Sequence, residues 1–254
     1  MRHSSQAGMD SVHHIEQGRP SQVREDRARD PDYISPDDIL ASIADEIHAA
    51  GLVRELPPNT DFWRARNRSH GPRFLDGSEL GPAPRKDASA NRMTAAGVPA
   101  FYAARDIATA IAEIDNPDAY SAGRFRTLRA LSVLDLSQLP SFPSIFDLNA
   151  KRRLLALRFL CAFAVAVAKP IHADRGQHVG YAPTQAFATY MREMYGPRTG
   201  VPIDGILYQS SRRTGGECVV IFGGSEMVCD DPLVPGLGQK PLLALLRTKH
   251  RDHA

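Results

Sequence analysis

Apolar and polar positions along the chain follow two rhythms, one helical and one alternating. Ile39, Ile43, Ile47 and Leu52 recur near helical spacing behind Ser35-Pro36-Asp37-Asp38. Ser35 suits a helix cap, Pro36 the first helical position, and the two acids the positive end of the helix dipole, with Gly51 as the stop. Asp61-Phe62-Trp63-Arg64-Ala65-Arg66 reads as a short strand. A second strand is predicted over 98–103, behind Gly97. Asp106 then caps a helix built on Ile107, Ala110, Ile111 and Ile114 and ended by Asn116-Pro117. Residues 126–136 alternate and predict one strand. Residues 152–169 predict a mostly apolar helix closed by Pro170, and 184–195 a further helix stopped by Gly196-Pro197. Two β-rich segments, 204–209 and 218–222, flank Ser210-Ser211-Arg212-Arg213-Thr214-Gly215-Gly216, which predicts a hairpin. Residues 241–247 predict a short Leu-rich helix. Residues 67–90 are rich in Gly, Pro and Ser and predict a long loop, functional or mobile.

Strands and helices interleave without a regular βαβ alternation, so the predicted class is α+β. Composition divides the chain into a disordered polar tail (1–32), a helical appendage (33–56), a main domain (57–230) and a C-terminal helical tail (231–254). No internal repeat is visible.

Composition then excludes several function classes. The chain has 254 residues, 43% of them hydrophobic, enough to pack a core over most of its length. Its formal net charge of +2 lacks the basic excess of a general nucleic-acid binder, so nucleic acid is not an expected partner. Cys161, Cys218 and Cys229 are odd in number and lack CxxC spacing, which argues against a disulfide framework and a zinc site. No metal is expected. The N-terminal stretch has no apolar secretory segment, and the run 161–168 is too short to cross a bilayer. A cytoplasmic location without membrane association is the expectation. Phosphate-loop, HExxH and GxSxG patterns are absent. Gly236-Leu237-Gly238-Gln239 lacks the strand that a phosphate-binding glycine loop follows. His172 and His178 read as polar loop residues, and His3, His13 and His14 as part of a solvated tail.

Chemistry concentrates elsewhere. Arg92 precedes a glycine turn, a strand then carries Tyr102, and Glu113 follows on a helix of small apolar residues. Glu113 lies on the shoulder of that helix's apolar face, where a carboxylate faces either a cleft or solvent. Arg92, Gly97-Val98-Pro99-Ala100-Phe101-Tyr102 and Thr109-Ala110-Ile111-Ala112-Glu113 resemble, in that order, the core signature of the RES domain. Asp204-Gly205-Ile206-Leu207-Tyr208-Gln209-Ser210-Ser211-Arg212 resembles the family's DGIxYxSxR segment, Phe62-Trp63-Arg64 its opening strand, and Tyr181-Ala182-Pro183-Thr184-Gln185 the segment before its last helix. The resemblance covers residues 60–225. Met93-Thr94 departs from the family's usual Trp-Asn or Phe-Asn, Gln209 from a common Pro, and the loop between Arg64 and Arg92 is long.

The resemblance implies an ADP-ribosyltransferase-like fold, a split and twisted β core with flanking helices. It implies the toxin of a toxin–antitoxin pair, cleaving NAD⁺ at the nicotinamide–ribose bond with phosphate or water as acceptor. Two alternatives stay open: transfer of ADP-ribose to a protein or nucleic acid, and a non-catalytic module that binds NAD⁺ or a partner. By residue type, Arg92, Tyr102 and Glu113 are the catalytic candidates. Arg64, Arg66, Tyr181, Tyr208, Ser210 and Arg212 are the candidates for holding ligand. A carboxylate suits an oxocarbenium-like sugar, and arginines suit a pyrophosphate. No resident cofactor is implied, since NAD⁺ is substrate and inorganic phosphate an optional co-substrate. A cognate antitoxin is the implied partner, and a homo-oligomer is compatible with the family.

Overall fold

The structure is a computed structural model and describes residues 35–68, 71–114, 118–144, 146, 151–168, 177–230 and 241–252, without the side chains of 151–152 and 177–181. The polar tail 1–32, the stops at Asn116-Pro117 and Pro170, His172 and the 236–239 glycine segment lie outside the described residues, as does the side chain of His178. The chain divides into two units, 1–39 and 40–254.

Helix α1 (Pro36–Ala49) begins as its cap dictates. Ser35 Oγ accepts from the Asp38 N–H at 3.1 Å and donates to Asp38 Oδ2 at 2.7 Å. Ile43, Ala44 and Ile47 form its buried stripe. Strands β1 (Val53–Leu56) and β2 (Asp61–Asn67) follow, then the one-turn α2 (Gly77–Leu80) and β3 (Ala100–Ala104). Next come α3 (Ile107–Ala112), β4 (Tyr120–Thr127), β5 (Leu131–Asp135) and the long helices α4 (Lys151–Ala168) and α5 (Gln177–Glu193). The short α6 (Tyr195–Thr199), β6 (Gly205–Gln209), β7 (Glu217–Phe222), β8 (Val228–Cys229) and β9 (Leu243–Arg251) complete the order.

All nine strands join one mixed sheet in the order β1-β5-β6-β7-β3-β2-β4-β9-β8, and the predicted α+β class holds. The sheet has a seam. Every residue of β2 pairs with β4, whereas β2 and β3 share the single register pair Trp63↔Ala104. The strands part beyond that pair.

Strand alternation separates the core into two faces. Leu134, Ile206 and Val220 point to one face and meet Ile43 and Ile47 of α1, Leu160 and Phe163 of α4, and Phe187 and Met191 of α5. Phe62, Phe101, Phe125, Leu207, Val219 and Ile221 build the other. There Phe101 and Phe125 pack edge-on with centroids 4.8 Å apart. Gly205 on β6 is paired with both β5 and β7, and a Cβ there would clash with the Val220 carbonyl oxygen. Gly205→Ala is therefore expected to destabilise the protein by about 3 kcal/mol. In a thermal melt this reads as a fall in Tm of roughly 10 °C, and an unchanged Tm would refute the close packing.

Six expectations are corrected. Residues 126–136 form parts of two strands, β4 and β5, because the chain turns through Leu128-Arg129-Ala130 without glycine or proline. The helix expected from Thr184 begins earlier and runs through Pro183. Gly196-Pro197 does not end the helical region but lies in the first turn of α6, where a missing N–H leaves no bond unmade. Residues 241–247 are not a helix: Leu243–Arg251 is β9, paired along β4. Val53–Leu56, expected in a helical appendage, is likewise a sheet strand. The loop 67–90 also holds structure, with Asp76 Oδ1 capping α2 through the Ser78 and Glu79 N–H groups at 3.0 Å. Among the described residues no helix is long and apolar enough to cross a membrane.

Candidate active site

The seam opens into a cleft of about 500 Å³. Its floor is a row of directly opposed residues, Tyr208 on β6, Cys218 on β7, Ala104 on β3 and Trp63 on β2. Arg64, Arg92, Tyr102, Glu113 and Arg212 line the remainder.

Glu113 is the C-cap of α3, a helix too short to fix its own last residue. The loop 210–216 does this by crossing the helix like a strap. At the start of α3, Asp106 accepts from the Thr109 N–H at 2.9 Å, and Arg213 Nη1 reaches Asp106 Oδ2 at 2.9 Å and Thr109 Oγ1 at 2.6 Å. At its end, Ser210 Oγ donates to Glu113 Oε1 at 2.5 Å and the Ser211 N–H donates to the same oxygen at 3.1 Å. Gly216 permits the approach, since a Cβ there would lie 2.7 Å from Thr109 Oγ1. Ser210 Oγ also accepts from the backbone N–H groups of Arg212 at 3.2 Å and Arg213 at 3.0 Å, so the turn and the carboxylate share one hydroxyl. Glu113 Oε1 is thus occupied, while Oε2 carries only a 3.5 Å contact to Ser211 Oγ among the described residues.

Arg92 lies in the turn closed by the Asn91↔Thr94 bridge. Its Nη1 donates to the Val167 carbonyl near the end of α4, and its Nη2 to Ser211 Oγ at 3.3 Å. The Arg92 carbonyl accepts from Thr184 Oγ1 on α5. One residue therefore joins two helices to the strap. Gly97, at φ 78°, turns the chain from there into β3. β3 carries Tyr102, whose hydroxyl lies 3.0 Å from Thr94 Oγ1. Burial pushes the Tyr102 phenol up to about 12, and it also raises Tyr208, so both remain protonated donors at neutral pH. Burial, with Glu113 beside it, raises the Cys218 thiol, whose sulfur lies 3.8 Å from Oε1.

Arg64 stands at the seam with its guanidinium carbon 5.3 Å from the Phe101 centroid. Its Nη1 is fully buried and has no hydrogen-bond partner among the described residues. Burial, and then the neighbouring Arg66, lower its pKa to about 10, so it stays cationic at neutral pH. A buried cationic nitrogen without a partner is costly, and an anion in the cleft would satisfy it.

Of the residues expected from sequence, Arg64, Arg92, Tyr102, Glu113, Tyr208 and Arg212 come together around the cleft, and Ser210 stands behind Glu113. Arg66 does not line it. Its guanidinium caps the Glu79 carbonyl and lies 4.9 Å from the Phe74 centroid, holding α2 and its loop. Tyr181 belongs to α5, and its side chain lies outside the described residues. Sequence reasoning missed Ser211, Thr94 and Cys218. Thr94 carried a signal, since it is half of the departure Met93-Thr94, and Met93 is buried in the core beneath it. Among the described residues no cluster of His, Cys, Asp or Glu could hold a metal ion.

A family model described as the RES domain matches residues 61–238, more than half of the chain. A search of curated proteins found no match.

Proposed function

The chain belongs to the RES-domain family, and from that premise we propose that it cleaves NAD⁺ at the nicotinamide–ribose bond. The observation that carries the proposal is the Glu113 carboxylate, anchored through Oε1 at a cleft also lined by Arg64, whose buried Nη1 has no partner among the described residues.

The bond to be broken joins an anomeric carbon to a cationic pyridinium nitrogen. As it breaks, its electron pair goes to that nitrogen, which leaves as neutral nicotinamide. The sugar is left with oxocarbenium character. Glu113 Oε2 would stabilise that charge or hold a ribose hydroxyl, and its fixed partner Oε1 means the carboxylate needs no reorganisation. Arg64 would take a pyrophosphate oxygen. Tyr102 and Tyr208, both protonated, offer hydrogen bonds and apolar ring surface to the ribose or nicotinamide. Arg92 is largely committed to Val167 and Ser211, so its main task is to hold the strap in place. Water at the anomeric carbon gives ADP-ribose and a proton, and inorganic phosphate gives a phosphorylated ADP-ribose.

The full chain incubated with NAD⁺, with and without inorganic phosphate, is expected to release nicotinamide. Phosphate dependence and a phosphorylated product identify the phosphorolytic route. Labelled NAD⁺ in lysate giving a labelled macromolecule would instead identify a transferase. Absence of nicotinamide under every condition would overturn the proposal. Ser211→Ala removes the hydroxyl between Arg92 and Glu113 but keeps the N–H bond to Oε1. It is expected to lower kcat about tenfold with little change in KM.

RES domains are associated with toxin–antitoxin systems, and we extend the proposal to a toxin held in check by a cognate antitoxin in the cytoplasm. Induced expression of wild type alone is expected to arrest growth with a fall in cellular NAD⁺. The Glu113→Gln protein at equal level should permit growth, and arrest by both proteins would separate toxicity from NAD⁺ loss.

A further inference from the structure

The row that floors the cleft does not stop at Trp63. Trp63 is directly opposed by Arg124 on β4, and Arg124 by Arg247 on β9. Two arginines in directly opposed positions repel, and a sheet normally avoids that arrangement. Here it is extended. Lys249 and Arg251 follow Arg247 at alternate positions of β9 and so share its face, and all three side chains are exposed. Asp61 offsets Arg124 and Arg126, with Arg126 Nε at 2.8 Å from Oδ1 and Arg124 Nε at 3.0 Å from Oδ2. Arg247 and Lys249 lie over the Trp63 ring at 5.2 and 5.6 Å from its centroid, so the indole holds them without neutralising them. A chain of net charge +2 thus concentrates cations on one strand face, in line with its cleft.

We propose that this face of β9 is a docking surface for an extended acidic segment of a partner protein. Spacing selects the occupant. Alternate residues of a strand lie about 7 Å apart, so Arg247, Lys249 and Arg251 form a row of cations about 14 Å long. An extended peptide with a carboxylate at every second position repeats at the same distance and presents one carboxylate to each cation. Single-stranded nucleic acid fits less well, because it is held largely by stacking on bare aromatic faces. Trp63 is buried beneath its two cations, and Tyr120, opposed to Arg251 on the same face, is half-buried against the core, so neither offers a bare ring. Neighbouring strands lie about 4.8 Å apart, so a segment on β9 would run two strands, about 10 Å, from the Trp63 that floors the cleft. A partner docked there could reach the cleft mouth with its adjoining residues. None of this depends on which reaction the cleft performs.

The test is fluorescence anisotropy with the full chain and labelled peptides about ten residues long, enough to span the whole row of cations. One alternates glutamate and serine, and the other has the same composition with the glutamates in one block. The alternating peptide is expected to bind at least about five times more tightly than the block peptide, with affinity falling as salt rises. Lys249→Glu and Arg247→Glu should each weaken it about tenfold, whereas Arg153→Glu, an exposed site on α4, should leave it unchanged. If a reversal impairs folding, Lys249→Gln and Arg251→Gln replace it, with a loss of about threefold each. Equal affinity for the two peptides, no binding, insensitivity to the β9 substitutions, or tighter binding of an oligothymidylate of similar length would each overturn the proposal.

Discussion

Glutamine at position 113 is expected to slow nicotinamide release by about 10²–10³-fold while KM for NAD⁺ stays within about a factor of three. The substitution is nearly isosteric. Its amide oxygen can still accept from the Ser210 hydroxyl and the Ser211 N–H, so the strap and the end of α3 keep their geometry. What disappears is the negative charge of a side chain that lines the cleft. That charge matters where the sugar becomes cationic, which is the transition state rather than bound NAD⁺, so the loss belongs in kcat. Steady-state kinetics of the purified variant, with its Tm as a check on folding, decide the matter. A large rise in KM with unchanged kcat would make Glu113 a binding residue and remove it from the chemistry.

Arg64→Met should move activity and stability in opposite directions. Activity falls because the buried nitrogen would no longer be available to a pyrophosphate oxygen. Charge-assisted hydrogen bonds of that kind are worth a few kcal/mol, which corresponds to a rise in KM of about 10²-fold. Stability rises because the substitution removes a desolvated cation. The sign follows from linkage. The folded-state pKa of about 10 lies well below the ordinary range of a guanidinium, so the unfolded chain binds this proton more tightly. The penalty is complete below pH 10 and is relieved only as pH climbs from there toward the unfolded value. At neutral pH the variant should gain about 1–2 kcal/mol, or roughly 3–6 °C in Tm. A variant that loses both affinity and stability would mean that Arg64 is satisfied within the fold.

The residues that were legible in the sequence are those whose local pattern and chain order agree. Asp106 before a run of small apolar residues is a helix cap in sequence and in structure, and Glu113 falls at the other end of that helix. The hairpin of β6 and β7 was legible because short β-rich apolar runs on both sides bracket a Gly-Gly turn. Ser211 was not, because its task depends on a helix about 100 residues away and on an arginine still farther, and no local period encodes either. Strand β9 was misread for a different reason. Its first residues Leu243, Ala244 and Leu245 are all buried, and the register shift opposite Arg124 and Phe125 breaks the alternation there. The polar alternation that would have identified a strand begins only at Arg247, where the apolar run ends. The turn between β4 and β5 lacked the residues that usually mark one, so two strands looked like one. The exclusion of nucleic acid used net charge, a sum that hides how unevenly the cations are distributed over β9.

The seam has a kinetic meaning as well. Continuity between the β3 and β2 halves of the sheet rests on one register pair, so the alternate backbone amides that point across the parted stretch lack the cross-strand partners that slow deuterium uptake elsewhere. A small molecule spanning the gap would act as a substitute rung. It would lend protection to the gap-facing amides of β2 on one bank and of β3 on the other, while amides deep in the β4–β9 ladder kept their own rates. Occupancy of the cleft could then be followed as a local change in isotope exchange, before any bond is broken and in a variant too slow to turn over.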